Sequence, residues 1–285
     1  METNLMNTIF APRPKELDPV EGVNWGNRCS LRIVSGPTYH DIELVTNITN
    51  PADIERVEVT LNGSPIISCS GEALEMMQLH RKNYVQDGRY VISFGDATLR
   101  TKAGVRMSDL VTLPGEIWFV YIQLKETPSA SAPTIPTIRA RAHVLPAQSE
   151  RFYMPRIKQL TWHAAAAGRT PFDYPERSPF INIRRIHMSD PTDSIDRVRV
   201  IRDNVEELNV RRADNDFDLL VAKKDPIPGW LSLNFIRYGF GAEGVLNTAA
   251  RSQLQFELDK SAPGSIPVLI EFVEQVKPFP SQVAA

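Results

Sequence analysis

Apolar and polar residues alternate over short stretches through most of the chain, the period-two pattern of strands with one buried face. In IERVEVTLNG (54–63), Ile54 is followed after one irregular step by Val57, Val59 and Leu61, and Asn62-Gly63 supplies a turn that tolerates positive φ. CSLRIV (29–34) and YHDIELVT (39–46) precede it, set apart by SGP and NITNPAD, while GRYVISFG (88–95) and EIWFVYIQL (116–124) follow. Between these, EALEMMQLHRK (72–82) changes period, and Ala73, Met76, Met77 and His80 fall on one face of a helix.

The second half repeats the order. INIRRIHM (181–188), SIDRVRVIRDN (194–204), WLSLNFIRYG (230–239), QLQFELD (253–259) and IPVLIEFVEQV (266–276) read as strands. In DNVEELNVRR (203–212), Asp203 as N-cap with Glu206 at N3 predicts a short helix. Two anchors share one register: DIERVEVTLNG and SIDRVRVIRDN begin 194 − 53 = 141 residues apart, and VISF and SLNF end 235 − 94 = 141 apart. Many short strands, one small helix per half and no series of long helical patterns predict an all-β protein of two sandwiches or jelly rolls, not a doubly wound sheet. KETPSASAPTIPTIRA (125–140) carries prolines at 128, 133 and 136, which remove ladder donors, so it reads as the connector. The expected division is an arm at 1–26, a first domain at 27–125, a linker and approach to the second domain at 126–150, a second domain at 151–277 and a tail at 278–285. Leu5, Met6, Ile9 and Phe10 form an expected anchoring segment within the arm.

Composition narrows this picture. The 285 residues are 42% hydrophobic, enough for real cores, and 32 basic against 34 acidic residues give a net charge of −2, which offers no general attraction to nucleic acid or anionic membranes. No apolar run approaches the roughly 20 residues that span a bilayer, and the first residues lack the pattern of a secretion signal. Cys29 and Cys69, two cysteines in the first half, make no disulfide framework and read as buried thiols.

Chemistry is sparse. The motifs of serine hydrolases, zinc proteases, phosphate loops and dinucleotide sites are missing, so no catalytic or cofactor-binding residue is assigned and the protein is not expected to be an enzyme. YGFGAEG (238–244) lacks the required glycine spacing and reads as a loop. His40, His80, His143, His163 and His187 never come at ligand spacing; His80 and His187 read as satisfied structural residues. Asp214, Asp216 and Asp218 alternate like calcium ligands, yet position six would be Leu219 instead of glycine and no terminal Glu completes the loop; a helix end and turn is the stronger reading, and no metal ligand is assigned. Arg156, Lys158, Arg169, Arg177, Arg184 and Arg185 gather around the start of the second unit, interleaved with Phe152, Tyr153, Trp162, Phe172 and Tyr174. A solvated face and an interface both fit that set.

Taken together, IRRIHM, RVRVIRDN and RRADNDFDLL, with NRCSLRI, ERVEVTLNG and KAGVRMSDLV in the first half, resemble the major capsid proteins of the corticoviruses, tailless icosahedral bacteriophages with an internal membrane. The resemblance covers most of the chain after the arm. It implies a double jelly roll, assembled as a homotrimer with six-fold-like outer symmetry that tiles a shell over the membrane. Its implied partners are neighbouring trimers, vertex and membrane proteins, and the membrane surface, with no direct contact to nucleic acid. Calcium accompanies related virions, and here only ADNDFD offers it a local set of oxygens. Assembly is expected in the bacterial cytoplasm. The chain departs from the family in a longer arm and in Pro226, Pro228 and Gly229. Two other readings stand beside this one: a glycan-processing enzyme with Trp118, Trp162 and Trp230 along a sugar groove, and a glycan-binding or spike module.

Overall fold

The computed structural model describes residues 11–241 and 243–277; the anchoring segment at Leu5, Met6, Ile9 and Phe10 and the tail at 278–285 lie outside them. Eight strands of four or more residues and a ten-residue helix frame the first unit, which also holds a 3-10 turn at Pro51–Asp53, a short helix at Lys102–Arg106 and a two-residue strand at Leu110–Val111. The framing elements are β1 (Arg13–Glu16), β2 (Arg28–Ile33), β3 (Thr38–Thr46), β4 (Ile54–Leu61), β5 (Ser64–Cys69), α1 (Gly71–His80), β6 (Arg89–Ser93), β7 (Trp118–Leu124) and β8 (Ile138–Leu145). The second unit repeats them as β9 (Tyr153–Ala164), β10 (Gly168–Asp173), β11 (Ile181–Ser189), β12 (Ile195–Arg202), β13 (Val205–Arg211), α2 (Arg212–Val221), β14 (Trp230–Asn234), β15 (Leu254–Lys260) and β16 (Gly264–Gln275).

Each unit closes two sheets over a core. In the first, the order is β1-β8-β3-β6 facing β2-β7-β4-β5; in the second, β9-β16-β11-β14 facing β10-β15-β12-β13, all antiparallel within a unit. Sequence neighbours alternate between the two sheets except in the hairpins β4–β5 and β12–β13, which is the double Greek key of a jelly roll. One core holds Leu31, Ile42, Val57, Val59, Trp118 and Val120, the other Trp162, Ile186, Val198, Val200, Phe256 and Val268. The rolls are joined edge to edge where β5 and β9 run parallel at Ile67 and Ile157, so one long sheet crosses both.

The 141-residue register runs deeper than its two anchors. β4, β5, α1 and β6 begin at 54, 64, 71 and 89, and β12, β13, α2 and β14 begin at 195, 205, 212 and 230, each 141 later. Backbone conformation follows the same register: Asn62 and Asp203 have φ of 49° and 47°, Lys82 and Lys223 both 59°, Gly88 and Gly229 75° and 76°.

The helix predicted over 203–212 is corrected by this structure. Asp203 and Asn204 both sit at positive φ as the turn of the β12–β13 hairpin, and 205–211 is a strand. The Asp203 carboxylate does accept backbone N–H groups, but those of Arg251, Ser252 and Gln253 across the sheet at 2.9, 2.7 and 3.2 Å; a tertiary partner replaced the local cap. The second helix begins one strand later, over RADNDFDLLV.

The first roll also takes in β1, from the stretch assigned to the arm, and β8, from the stretch assigned to the linker. All four residues of β1 are exposed, so the strand has no alternation to read. β8 buries Ala140 and Ala142 beneath Arg139 and Arg141, a small-residue alternation that carries little hydrophobic signal.

Candidate functional site at the junction of the two rolls

Strand β11 places a continuous run, Ile183 to Met188, out of solvent. Ile186 and Met188 face the second core. A bulge between Ile183 and Arg185 shifts the register against β16 at Arg184. Arg185 and His187 lie on the opposite face of the sheet, and the first roll covers that face. Charged groups buried this way persist only where partners meet them. Those partners come from both rolls.

Glu271 of β16 is the hub. It accepts from Arg81 just after α1, from Arg185 at 3.4 Å and from His187 Nε2 at 2.9 Å. Arg185 donates its other arm to Asp96, beyond the end of β6, and Asp96 also accepts from the Thr98 hydroxyl at 2.5 Å. His187 Nδ1 lies 2.7 Å from the Ser232 hydroxyl. A neutral ring that donates from Nε2 to the carboxylate and accepts at Nδ1 from Ser232 satisfies both contacts. His80, at the end of α1, receives the Asn234 amide at 3.1 Å and meets His187 edge to face with centroids 4.9 Å apart. Arg184 donates to the Ser108 hydroxyl at 2.5 Å.

Burial alone would raise the Glu271 carboxyl, but Arg81 and Arg185 hold it well below the usual carboxylate range. Asp96 is held down in the same way, chiefly by Arg185 and then Arg81. Burial pulls Arg184 down to about 10, with Arg185 adding repulsion. Burial also lowers His80 well below its ordinary value, helped by His187 and Arg185, and lowers His187. The arrangement is thus three guanidiniums against two carboxylates with neutral imidazoles between. It ties α1 and the 96–108 segment of one roll to β11, β14 and β16 of the other.

A second buried pair lies beside it. His40 Nδ1 is 2.8 Å from Asp109, and this contact raises the imidazole against the opposing effect of burial. The pair needs Gly95, since a Cβ there would fall 2.2 Å from the His40 ring.

The sequence candidates are distributed as follows. His80 and His187 meet at the junction, whereas His143 pairs with Asp41 at 2.8 Å and His163 contacts Ser265 at 3.0 Å, each on a separate surface. Asp214 and Asp218, four residues apart, share one face of α2, while Asp216 lies about 200° round the axis from Asp214, so the three carboxylates do not converge. Asp218 instead pairs with Arg237 at 3.0 Å. No group of three His, Cys, Asp or Glu side chains among the described residues is placed to hold a metal ion.

The basic set divides. Arg156, Lys158 and Arg169 pair with Glu274, Glu176 and Glu257 at the surface, Arg177 is exposed, and Arg184 and Arg185 are the buried core of the junction. Of the aromatics for which a solvated face and an interface both fit, three serve the second core instead: Trp162 stacks between Phe172 and Phe256, and Tyr174 meets Phe256 edge-on. Trp118 lies in the first core, and Trp230 packs against it from the other roll, so these tryptophans line no common groove. In the YGFGAEG loop, Gly241 packs against Gly104, where a Cβ would come within 2.8 Å of backbone.

Sequence reasoning missed Arg81, Asp96, Ser108 and Glu271. The available signal for Glu271 was a single carboxylate inside the apolar run VLIEFV, on a strand whose central residues are all buried. Arg81 and Asp96 lie just outside regular elements and carried no signal.

The chain matches the family models of the viral coat protein P2 N-terminal domain over residues 14–145 and C-terminal domain over residues 154–276. Those spans run from within β1 to the last residue of β8, and from within β9 to just past β16. No curated protein matches the sequence. Among solved structures, the major capsid protein P2 from bacteriophage PM2 is 20% identical with a TM-score of 0.83, covering 94% of this chain and 98% of that one. The STIV major capsid protein is 12% identical with a TM-score of 0.68, covering 96% and 99%. PBCV-1 VP54 is 11% identical with a TM-score of 0.65, covering 94% and 95%. These three likenesses are of fold.

Proposed function

The chain belongs to the viral coat protein P2 family and is a capsid-forming protein of a virion, and from that premise we propose that it assembles as a homotrimer tiling an icosahedral shell over an internal membrane. The observation that carries this reading is the pair of like rolls fixed side by side by the buried junction and the shared sheet. Three such chains present six similar rolls, and a ring of six fills a six-fold-like position with one kind of contact repeated. Neighbouring trimers, vertex proteins and membrane proteins are the partners such a tile meets at its edges and inner face. No helix of the described residues is long and apolar enough to cross a membrane, so the proposed lipid contact is one of surfaces. Assembly from trimers formed in the host cytoplasm completes the proposal. The division of the chain that goes with it keeps 1–26 as the arm, whose residues 13–16 edge the first roll, and 126–150 as the passage between rolls, which supplies β8.

Native mass measurement together with imaging of particles tests this. A threefold mass in solution, and trimers as the dominant protein of the shell, are expected. A stable monomer absent from particles would overturn it, and a copy number confined to vertices would make the protein a spike.

A further inference from the structure

We propose that the apolar outer face of α2, formed by Phe217, Leu220 and Val221, docks on the outer face of the β1-β8-β3-β6 sheet of a second copy of this chain, around Glu43, Ser93 and Arg141. The inference rests on the trimeric reading above and specifies which surfaces meet.

Phe217, Leu220 and Val221 are 66%, 54% and 62% exposed, a large apolar stripe on one side of a helix whose other side is anchored by Asn215 and Leu219. The repeat supplies their counterparts. Subtracting 141 gives Met76, Leu79 and His80 on α1, where Met76 and His80 are buried. At its C-terminal end, α1 meets the second roll: His80 reaches Asn234 of β14 and His187 of β11, and the following Arg81 reaches Glu271 of β16. Within one chain, then, the helix of one roll docks on the outer face of the next roll's sheet.

Strand registers locate the equivalent face on the first roll. Asn234 corresponds to Ser93, since 234 − 141 = 93. Ser232 corresponds to Val91, and Ser232 pairs with His187 as Val91 pairs with Glu43. Leu269 pairs with His187 as Arg141 pairs with Glu43. Glu43, Ser93 and Arg141 therefore stand where His187, Asn234 and Leu269 stand at the junction.

Within the chain the cleft over this face is lined by the first roll alone, Glu43, Gln78, Tyr84, Arg89 and Arg141 among its residues, and α1 reaches its edge, where Gln78 donates to the Ser93 hydroxyl at 2.8 Å. Arg89 and Arg141 keep about a third of their side chains exposed while both bond to the carboxylate of Glu43, and Glu75 lines the same cleft. Asp214, exposed in the first turn of α2 and one turn before Phe217, is placed to meet the exposed part of one of these guanidiniums.

The loops agree. Residues 224–227, after α2, close on the first roll through Lys82–Asp225 at 2.9 Å, Lys224–Thr98 at 3.1 Å and Ile227 against its core. The counterpart loop after α1 leaves Tyr84 86% exposed, and in the proposed contact Tyr84 of the receiving copy meets the second roll that brings α2. A head-to-tail contact of this kind closes as a ring when its rotation matches the one within the chain, giving six rolls from three chains.

The test is a cysteine pair, Val221→Cys with Ser93→Cys, at the positions equivalent to His80 and Asn234. Cys29 and Cys69 are buried and leave a clean background. Because the equivalent His80 and Asn234 meet at their side-chain tips, a short bis-maleimide linker is used in place of a direct disulfide, and it is expected to give covalently linked two- and three-chain species on denaturing gels, while each single variant stays at 32.0 kDa. Phe217→Asp, at an exposed site, is expected to shift the native mass from trimer to monomer with an unchanged circular dichroism spectrum. A double-cysteine protein that is trimeric by native mass but yields no linked chains, or a Phe217→Asp protein that stays trimeric, overturns this surface and leaves the trimer standing. An unaltered chain that is monomeric both in solution and in particles overturns the trimer, and this surface with it.

Discussion

At the scale of single residues, the junction depends on a balance of buried charge. Glu271 answers Arg81, Arg185 and His187 at once, so Glu271→Gln leaves two guanidiniums short of an anion in a site closed to water. Breaking a buried pair from one side costs about 3–5 kcal/mol, and the loss is expected as a lowered midpoint in urea unfolding. The histidines set a pH dependence. Burial holds His80 and His187 below their ordinary values, so the unfolded chain binds protons that the folded chain refuses. Their contribution is complete above the unfolded value of about 6.5 and is lost as pH falls. His40 runs the other way: raised by Asp109, it contributes fully below that value and loses the contribution as pH rises through its folded value. Two groups against one give a net loss on acidification, with each histidine worth up to about 1.4 kcal/mol per pH unit. Unfolding midpoints measured from pH 7 to 5 should fall, and His80→Gln should flatten the slope. INIRRIHM reads in the sequence as a strand, with Arg184 and Arg185 fitting a solvated face or an interface, but the strand is buried and the partners of its charge network come from as far away as Arg81 and Asp96.

At the scale of elements, the repeat shows both what local pattern conveys and where it misleads. Val57, Val59 and Leu61 alternate, Asn62-Gly63 turns, and the strand and hairpin form as the pattern predicts. Asp203 and Glu206 offered a plausible helix start, yet the same 141-residue register that aligned the strands would have carried SPIISC onto VEELNV and α1 onto α2. Applied through the whole motif, it places the helix correctly. The helices differ in their caps. Ser70 accepts from the Ala73 N–H at 3.2 Å at the start of α1, whereas its counterpart Arg211 makes no side-chain cap. Arg211→Ser is therefore expected to stabilise the fold by about 1 kcal/mol, read as a raised melting temperature.

At the scale of the whole molecule, a continuous sheet and a buried charge network make two rolls behave as one body. Arg81→Met removes the first roll's hold on Glu271 while leaving both cores intact. Calorimetry is expected to resolve two unfolding transitions in that variant against one for the unaltered chain; a single transition in both would show that the remaining contacts, Arg185–Asp96, His80–Asn234 and the β5–β9 pairing among them, suffice to couple the rolls. The sequence by itself determined that the chain is all-β, that it is written twice at a spacing of 141, and that a helix stands between strands in the first half, because alternation, turn residues and helical faces are local properties. Only the tertiary structure decided that Arg13–Glu16 and Ile138–Leu145 complete the first roll, since an exposed edge strand and an alanine-lined strand carry little local hydrophobic signal. It also decided that the polar outer face of one sheet would be buried by the other roll. That choice depends on groups nearly 200 residues apart meeting in space, as Arg81 and Glu271 do, and no stretch of sequence contains both.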